Sequence, residues 1–273
     1  MTLFAVFLFG LLLGSFLNVC IVRIPIGESI VTPPSHCPQC GVHIPPIDNI
    51  PLLSYLMLRG RCRKCGTPIS PLYPTVEFLM ALLALACYLS FGLSPMFAKW
   101  LMFCALNIVL VFTDLRERIL PDVVNFAGLA AGLIASLFIF IPNSVRDAFS
   151  YSLAGASLST RMNSLEGAFV GAACGGGVLW LFAEGYFRLR HKEGMGLGDV
   201  KMMLMAGSFL GWKGALLTIL AASVMGSLIG LSFMVAGRRG RDYEWPFGTF
   251  LGIAAIGVAF WGPRLIAWYL SYY

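Results

Sequence analysis

Two sets of residues in this 273-residue chain have the types and spacing for chemistry. The first is a pair of cysteine pairs, Cys37-x-x-Cys40 and Cys62-x-x-Cys65, each trailed by a glycine, Gly41 and Gly66. Four thiolates at this spacing complete a tetrahedral zinc site, and a glycine after each pair lets the chain turn so that backbone amides point at sulfur. Four protein ligands leave no open coordination position, so the metal expected here is structural rather than catalytic. Disulfide or redox use of the same pairs is the alternative; a reducing cytoplasmic setting argues against it. His36 and His43 flank the first pair and are read as solvated loop residues, not ligands.

The second set is acidic. Asp114, Asp122 and Asp199 lie at the borders of apolar segments, with Glu77 and Glu184 near the ends of two others. Ionisable groups at membrane depth are functional candidates that usually face a bundle interior. Two carboxyls held close in a poorly solvated site cannot both ionise easily, so one keeps a proton and the pair supplies acid and base together. The base activates water; the acid protonates the carbonyl oxygen and then the leaving amine. Asp199 stands in Gly194-Met195-Gly196-Leu197-Gly198-Asp199-Val200-Lys201, where Gly196 and Gly198 could let a substrate backbone approach closely. Asp199 and Asp122 could equally be helix caps. Lys201 is read as snorkelling or pairing with lipid headgroups. The sequence has no H-E-x-x-H and no G-x-S-x-G, and none of its three histidines lies in an apolar segment.

The elements that must position these groups are membrane helices. The chain is 58% hydrophobic and 12% charged, with mean hydropathy +0.82, which excludes an ordinary soluble domain. Apolar segments fall near 3–24, 75–93, 97–113, 121–141, 165–187, 197–211, 213–236 and 247–270, so the fold expected is an all-α polytopic membrane protein of about eight transmembrane helices. The first segment lacks a basic lead-in and a small-x-small cleavage site and is read as a retained helix. With the N-terminus outside, Arg59, Arg61, Arg63, Lys64, Arg116, Arg118, Arg188, Arg190, Arg238, Arg239 and Arg241 all fall inside, and this bias orients the bundle. The net charge of +6 is then the cytoplasmic loop signal, not a nucleic-acid surface. Three parts follow: a first helix (1–24), a small cytoplasmic zinc-binding loop domain (25–74), and a helical bundle (75–273). The apolar run Leu52–Leu58 lies either on the membrane surface or packed in a core. Residues 142–164 form a second loop. Gly171–Gly177 suits close helix packing, and Cys20, Cys87, Cys104 and Cys174 are small core residues.

In their order and spacing these residues resemble the type IV prepilin peptidases, or prepilin leader peptidases, of the GxGD group of aspartyl membrane proteases. Gly14-Ser15-Phe16-Leu17-Asn18-Val19 with Arg23-Ile24-Pro25 is similar to the family's first helix. The cysteine pairs enclose Asp48-Asn49-Ile50-Pro51 and Leu58-Arg59-Gly60-Arg61, with Tyr73-Pro74 and Glu77 beyond. Asp114-Leu115-Arg116 leading to Leu120-Pro121-Asp122 resembles the first catalytic segment, and Gly194–Lys201 the second. Pro246-Phe247-Gly248 with Phe250-Leu251 resembles the last helix, although Thr249 stands where proline is common, a departure expected to touch packing and not chemistry.

The resemblance implies an enzyme of the bacterial inner membrane. It would cut the leader from type IV prepilins or pseudopilins after a glycine on the cytoplasmic side. Asp114 and Asp199 would be the catalytic pair. It would also N-methylate the new N-terminus with S-adenosylmethionine, to which Glu77, Arg59, Gly60 and Arg61 are loosely assigned. A peptidase without methyl transfer, or a non-enzymatic zinc-stapled membrane scaffold or transporter, are the alternatives.

Overall fold

A computed structural model describes residues 1–140, 157–191, 195–235 and 246–272. Gly194 of the aspartate motif, Arg238, Arg239 and Arg241 of the basic inner loop, and most of the second loop lie outside them. Eight α-helices are present among the described residues: α1 (Thr2–Arg23), α2 (Leu53–Met57), α3 (Leu72–Phe91), α4 (Pro95–Glu117), α5 (Asp122–Ser136), α6 (Leu158–Arg190), α7 (Leu197–Val235) and α8 (Phe247–Leu270). Six of them, all but α2 and α5, are long and apolar enough to cross a bilayer. Helices are the natural form for such segments, because backbone polar groups in lipid must be satisfied within the segment itself. The chain is a multi-pass membrane protein.

The chain divides into two compact units, Met1–Phe97 and Ala98–Tyr273. In the first, α1 packs on α3 through small residues. A Cβ on Gly10 would lie 2.6 Å from the Ala81 Cα, and one on Gly14 would lie 2.6 Å from the Glu77 Cα. Backbones can approach this closely only where a side chain is missing, and that is how helices associate when lipid removes the usual hydrophobic drive. Polar groups close the same seam: Asn18 Nδ2 donates to the Tyr73 carbonyl at 3.0 Å. Arg23, also buried, donates to the carbonyls of Ser29 and Pro33 at 2.9 and 2.7 Å and so ties the start of the loop to α1.

In the second unit the seam lies between α6 and α7. Gly171 meets Gly207 and Gly211, and Gly175 and Gly176 meet Met203 and Leu204, so the expected close packing of the 171–177 glycines holds for these three; Gly177 faces open space. Residues 158–164, expected in a loop, are the first turns of α6, with Ser157 Oγ accepting from the Thr160 amide at its N-terminus.

Helix α7 contains 39 residues. Drawn straight it would be about 58 Å long, far more than the roughly 30 Å core of a bilayer. It is not straight. Gly211 has φ 70 and ψ 174, a conformation open essentially to glycine alone. The contacts with α8 show that the chain reverses there. Before the break, Asp199 faces Gly248 and Met202 faces Gly252; after it, Gly214 faces Val258 and Gly226 faces Phe250. The first arm therefore runs parallel to α8 and the second antiparallel. The two adjoining apolar segments at 197–211 and 213–236 are two arms of a hairpin, as expected for about eight spans.

The Gly171 seam has a direct test. A Cβ there would overlap the Gly207 carbonyl and come within 2.7 Å of the Gly211 Cα. Gly171→Val should destabilise the protein by at least the ~1–3 kcal/mol typical of overpacking, read as a lower melting temperature in detergent. An unchanged midpoint would remove the seam from the account.

Candidate active site and metal site

Asp114 sits in the last turn of α4 and Asp199 in the first turn of α7, eighty-five residues apart in sequence. Both are buried, at 5% and 8% exposure, as is Thr249 at 4%. The amide and the hydroxyl of Thr249 both donate to Asp114 Oδ2, at 2.6 and 2.9 Å. Gly248 completes the geometry. A Cβ built on it would lie 3.0 Å from Asp114 Oδ2 and 3.1 Å from Asp199 Oδ1. The two carboxylates thus flank a single point at the start of α8, and those oxygens can be no farther apart than these two lengths laid end to end. Leu120 forms an apolar wall, since the same Cβ would meet its Cδ1 at 2.8 Å and a Cβ on Gly198 would meet its Cβ at 3.1 Å. Two acids converging in a water-poor pocket are the arrangement that yields one acid and one base.

Several expectations change here. Asp199 is the third residue of α7, within its first turn, and not its cap. Asp122 is the first residue of α5, behind an N-cap Pro121 that receives no side-chain hydrogen bond. Lys201 does not reach for headgroups; its Nζ lies 2.8 Å from both carboxylate oxygens of Asp122. A carboxylate within reach on α5 is a better partner for an ammonium than solvent. Gly198 is packed against Leu120, whereas a Cβ on Gly196 would meet nothing nearer than the Gly198 amide nitrogen at 3.9 Å. Thr249 was expected to matter for packing alone, yet it makes the two bonds that hold Asp114. Residue-type reasoning missed Thr249 and Gly248 because neither is ionisable. The one signal available was the resemblance itself, which singled out Thr249 as standing where proline was expected; threonine brings an N–H and a hydroxyl that proline lacks.

The four loop cysteines meet in the first unit. Their sulfur atoms all lie within 4.8 Å of one another, and Cys37 Sγ and Cys65 Sγ are 3.8 Å apart. A tetrahedral centre with metal–sulfur bonds of ~2.3 Å requires sulfurs about 3.8 Å apart, so the donor set fits such an ion. Each pair sits in the same turn. The Gly41 amide bonds the Cys37 carbonyl and the Cys37 amide the Val42 carbonyl, both at 2.9 Å. The Gly66 amide bonds the Cys62 carbonyl at 3.0 Å and the Cys62 amide the Thr67 carbonyl at 2.8 Å. Gly41 and Gly66 take φ 68 and 72, which explains the glycine after each pair. Hydrogen bonding with the Thr67 hydroxyl and then its amide brings the Cys65 thiol down to about 6, while, against the pull of the Val42 backbone, burial and the neighbouring thiols hold Cys40 up at about 11. His36 and His43 are exposed and pair with each other through the backbone, outside the cluster.

Glu77 Oε2 accepts the Leu52 amide at 2.9 Å and tethers the loop to α3. Arg59 and Gly60 take φ 51 and 66 in the turn leading to Cys62, and Arg61 pairs through its backbone with Pro68. Glu77 therefore engages the start of α2, whereas Arg59, Gly60 and Arg61 belong to the second cysteine turn. Leu53, Leu56 and Met57 on α2 are exposed, in keeping with the membrane-surface alternative for the 52–58 run.

The architecture defines a class, a polytopic membrane protein with converging aspartates and a four-cysteine loop. The sequence comparisons supply the family. Residues 8–91 match the bacterial peptidase A24 N-terminal domain, and residues 101–231 match the type IV leader peptidase family. A prepilin leader peptidase/N-methyltransferase of Aeromonas hydrophila is 34% identical over 97% of this chain and 93% of its own length. The proteins of that name from Legionella pneumophila and Myxococcus xanthus are 33% and 41% identical, over 97% and 89% of this chain and 93% and 67% of their own lengths. No solved structure matches. The chain belongs to the type IV leader peptidase family.

A bidentate pair stiffens the loop: Arg63 Nε and Nη2 donate to Asp48 Oδ2 and Oδ1 at 2.8 and 2.6 Å. The hydrogen bonds and charge of Arg63 hold the Asp48 carboxyl below its ordinary range. Because the folded value lies below the unfolded one, this stabilisation is complete above about pH 3.9 and fades as pH falls through the folded value. NMR titration of labelled aspartate should find Asp48 low in the wild type and back in the ordinary range in Arg63→Gln. Identical titrations would show that the pair does not form in solution.

Proposed function

We propose that this protein is a membrane aspartyl endopeptidase. It removes the leader of type IV prepilins or related pseudopilins, after a glycine and at the cytoplasmic side of the inner membrane, and then N-methylates the exposed residue. The observation that supports the peptidase reading most directly is the convergence of Asp114 and Asp199 on Gly248. One carboxylate takes a proton from water, and the hydroxide adds to the scissile carbonyl carbon. The other carboxyl donates its proton to the carbonyl oxygen. Collapse of the tetrahedral intermediate returns that proton and sends one to the leaving amine. Gly196 leaves room beside Asp199 for an extended substrate backbone, and Leu120 keeps bulk water away.

The names of the relatives support methyl transfer, for which S-adenosylmethionine is the donor we propose. Glu77, Arg59, Gly60 and Arg61 remain the candidate residues, and no step is assigned to them. The loop of residues 25–74 holds structural zinc through Cys37, Cys40, Cys62 and Cys65, an ion that suits four thiolates in a closed tetrahedral set.

Asp114→Asn and Asp199→Asn should each lower cleavage of a purified prepilin by at least the ~10²–10⁴-fold typical of removing a general acid or base, while the protein still inserts and purifies. The readout is the shortened product on a gel, with mass spectrometry of its N-terminus for the methyl group. Full cleavage by either variant would end the mechanism. Changing the four loop cysteines to serine should abolish co-purifying zinc by elemental analysis; unchanged zinc content would place the ion elsewhere.

A further inference from the structure

Thr249 carries an inference about how labour is divided within the aspartate pair, and it rests on the peptidase reading above. The Thr249 amide is the third of helix α8, and amides in a first turn have no intrahelical partner. No α8 residue caps them, because the N-cap position is Pro246 and it makes no side-chain bond. Asp114, from a different helix, takes this amide at 2.6 Å. The Thr249 hydroxyl then adds a second donor to the same oxygen at 2.9 Å. A carboxylate oxygen has two lone pairs to offer, and on Oδ2 both are taken. A proton therefore cannot settle on Oδ2 without displacing a donor.

We infer that Thr249 is a positioning residue that fixes Asp114 as the general base, with Oδ1 as its working oxygen, and so leaves the acid role to Asp199. In the hydrolytic step the proton of the attacking water goes to Asp114 Oδ1, and the water oxygen bonds to the carbonyl carbon. The carbonyl oxygen takes the proton held by Asp199. Two features of the site agree with this division. The positive end of the α8 helix faces Asp114, where it favours an anion. Gly248 keeps the space between the carboxylates free, since any side chain there would strike both acids and Leu120. Proline in place of Thr249 would supply neither an N–H nor a hydroxyl.

The test compares Thr249→Val, which keeps shape and amide but loses the hydroxyl, with Thr249→Ser, which keeps the hydroxyl. Losing one hydrogen bond to a charged group should lower kcat about tenfold with KM unchanged, and serine should recover it to within about threefold of wild type. A change in KM alone, full kcat in the valine variant, or equal losses in both variants would overturn the proposal. Infrared spectra give a readout independent of turnover. With isotope-labelled aspartate, the Asp114 carboxylate band, identified by its loss in Asp114→Asn, should shift in Thr249→Val and return in Thr249→Ser. An unmoved band overturns the proposal. A shifted band in a protein that cleaves no prepilin supports the Thr249 hold and overturns the peptidase reading alone.

Discussion

A carboxylate at membrane depth has to find donors or give up its charge, and Asp114 finds two donors on one residue of another helix. The two bonds from Thr249 join the end of α4 to the start of α8. The first of them also gives the Thr249 amide, in the uncapped first turn of α8, a partner it lacks within the helix. Stability and chemistry share one contact. An acid that would be a costly intrusion in lipid becomes the cap of a neighbouring helix, and capping it there points the acid at Asp199.

Glycine makes the rest possible. Lipid offers helices little hydrophobic reason to associate, so close van der Waals contact must do it. The Gly171–Gly207 crossing brings α6 against α7, Gly211 folds α7 back on itself, and Gly252 and Gly248 let α8 lie against Val111 and the aspartates. Gly171, Gly207, Gly248 and Gly252 each leave out a Cβ where a backbone, a side chain or one of the two acids already stands. Were α7 a single rod, its two arms could not both face α8.

The loop between α1 and α3 solves a different problem. Some fifty residues between two long apolar helices bury little apolar area of their own, and Leu56 and Met57 stand exposed. A four-sulfur cluster, the Arg63–Asp48 pair, the Arg23 bonds to loop carbonyls and the Glu77 tether to Leu52 take the place of a core. Small domains commonly rely on such cross-links where hydrophobic burial is too limited.

Sequence alone determined the apolar segments, the four clustered cysteines and the two aspartates, because each is encoded locally: hydropathy over some twenty residues, cysteine spacing with its trailing glycine, an acid at the border of an apolar run. Even the break at Gly211-Trp212-Lys213 was legible as the interruption of such a run. Tertiary structure decided what depends on residues distant in the chain. It placed Asp199 beside Asp114, gave Lys201 to Asp122 where lipid headgroups had been expected, set Gly198 against Leu120, and turned Thr249 from a packing substitution into the support of an acid. Local pattern carries no information about which helix faces which. A neutral threonine becomes a functional group only through the carboxylate that folding brings within hydrogen-bonding distance of it.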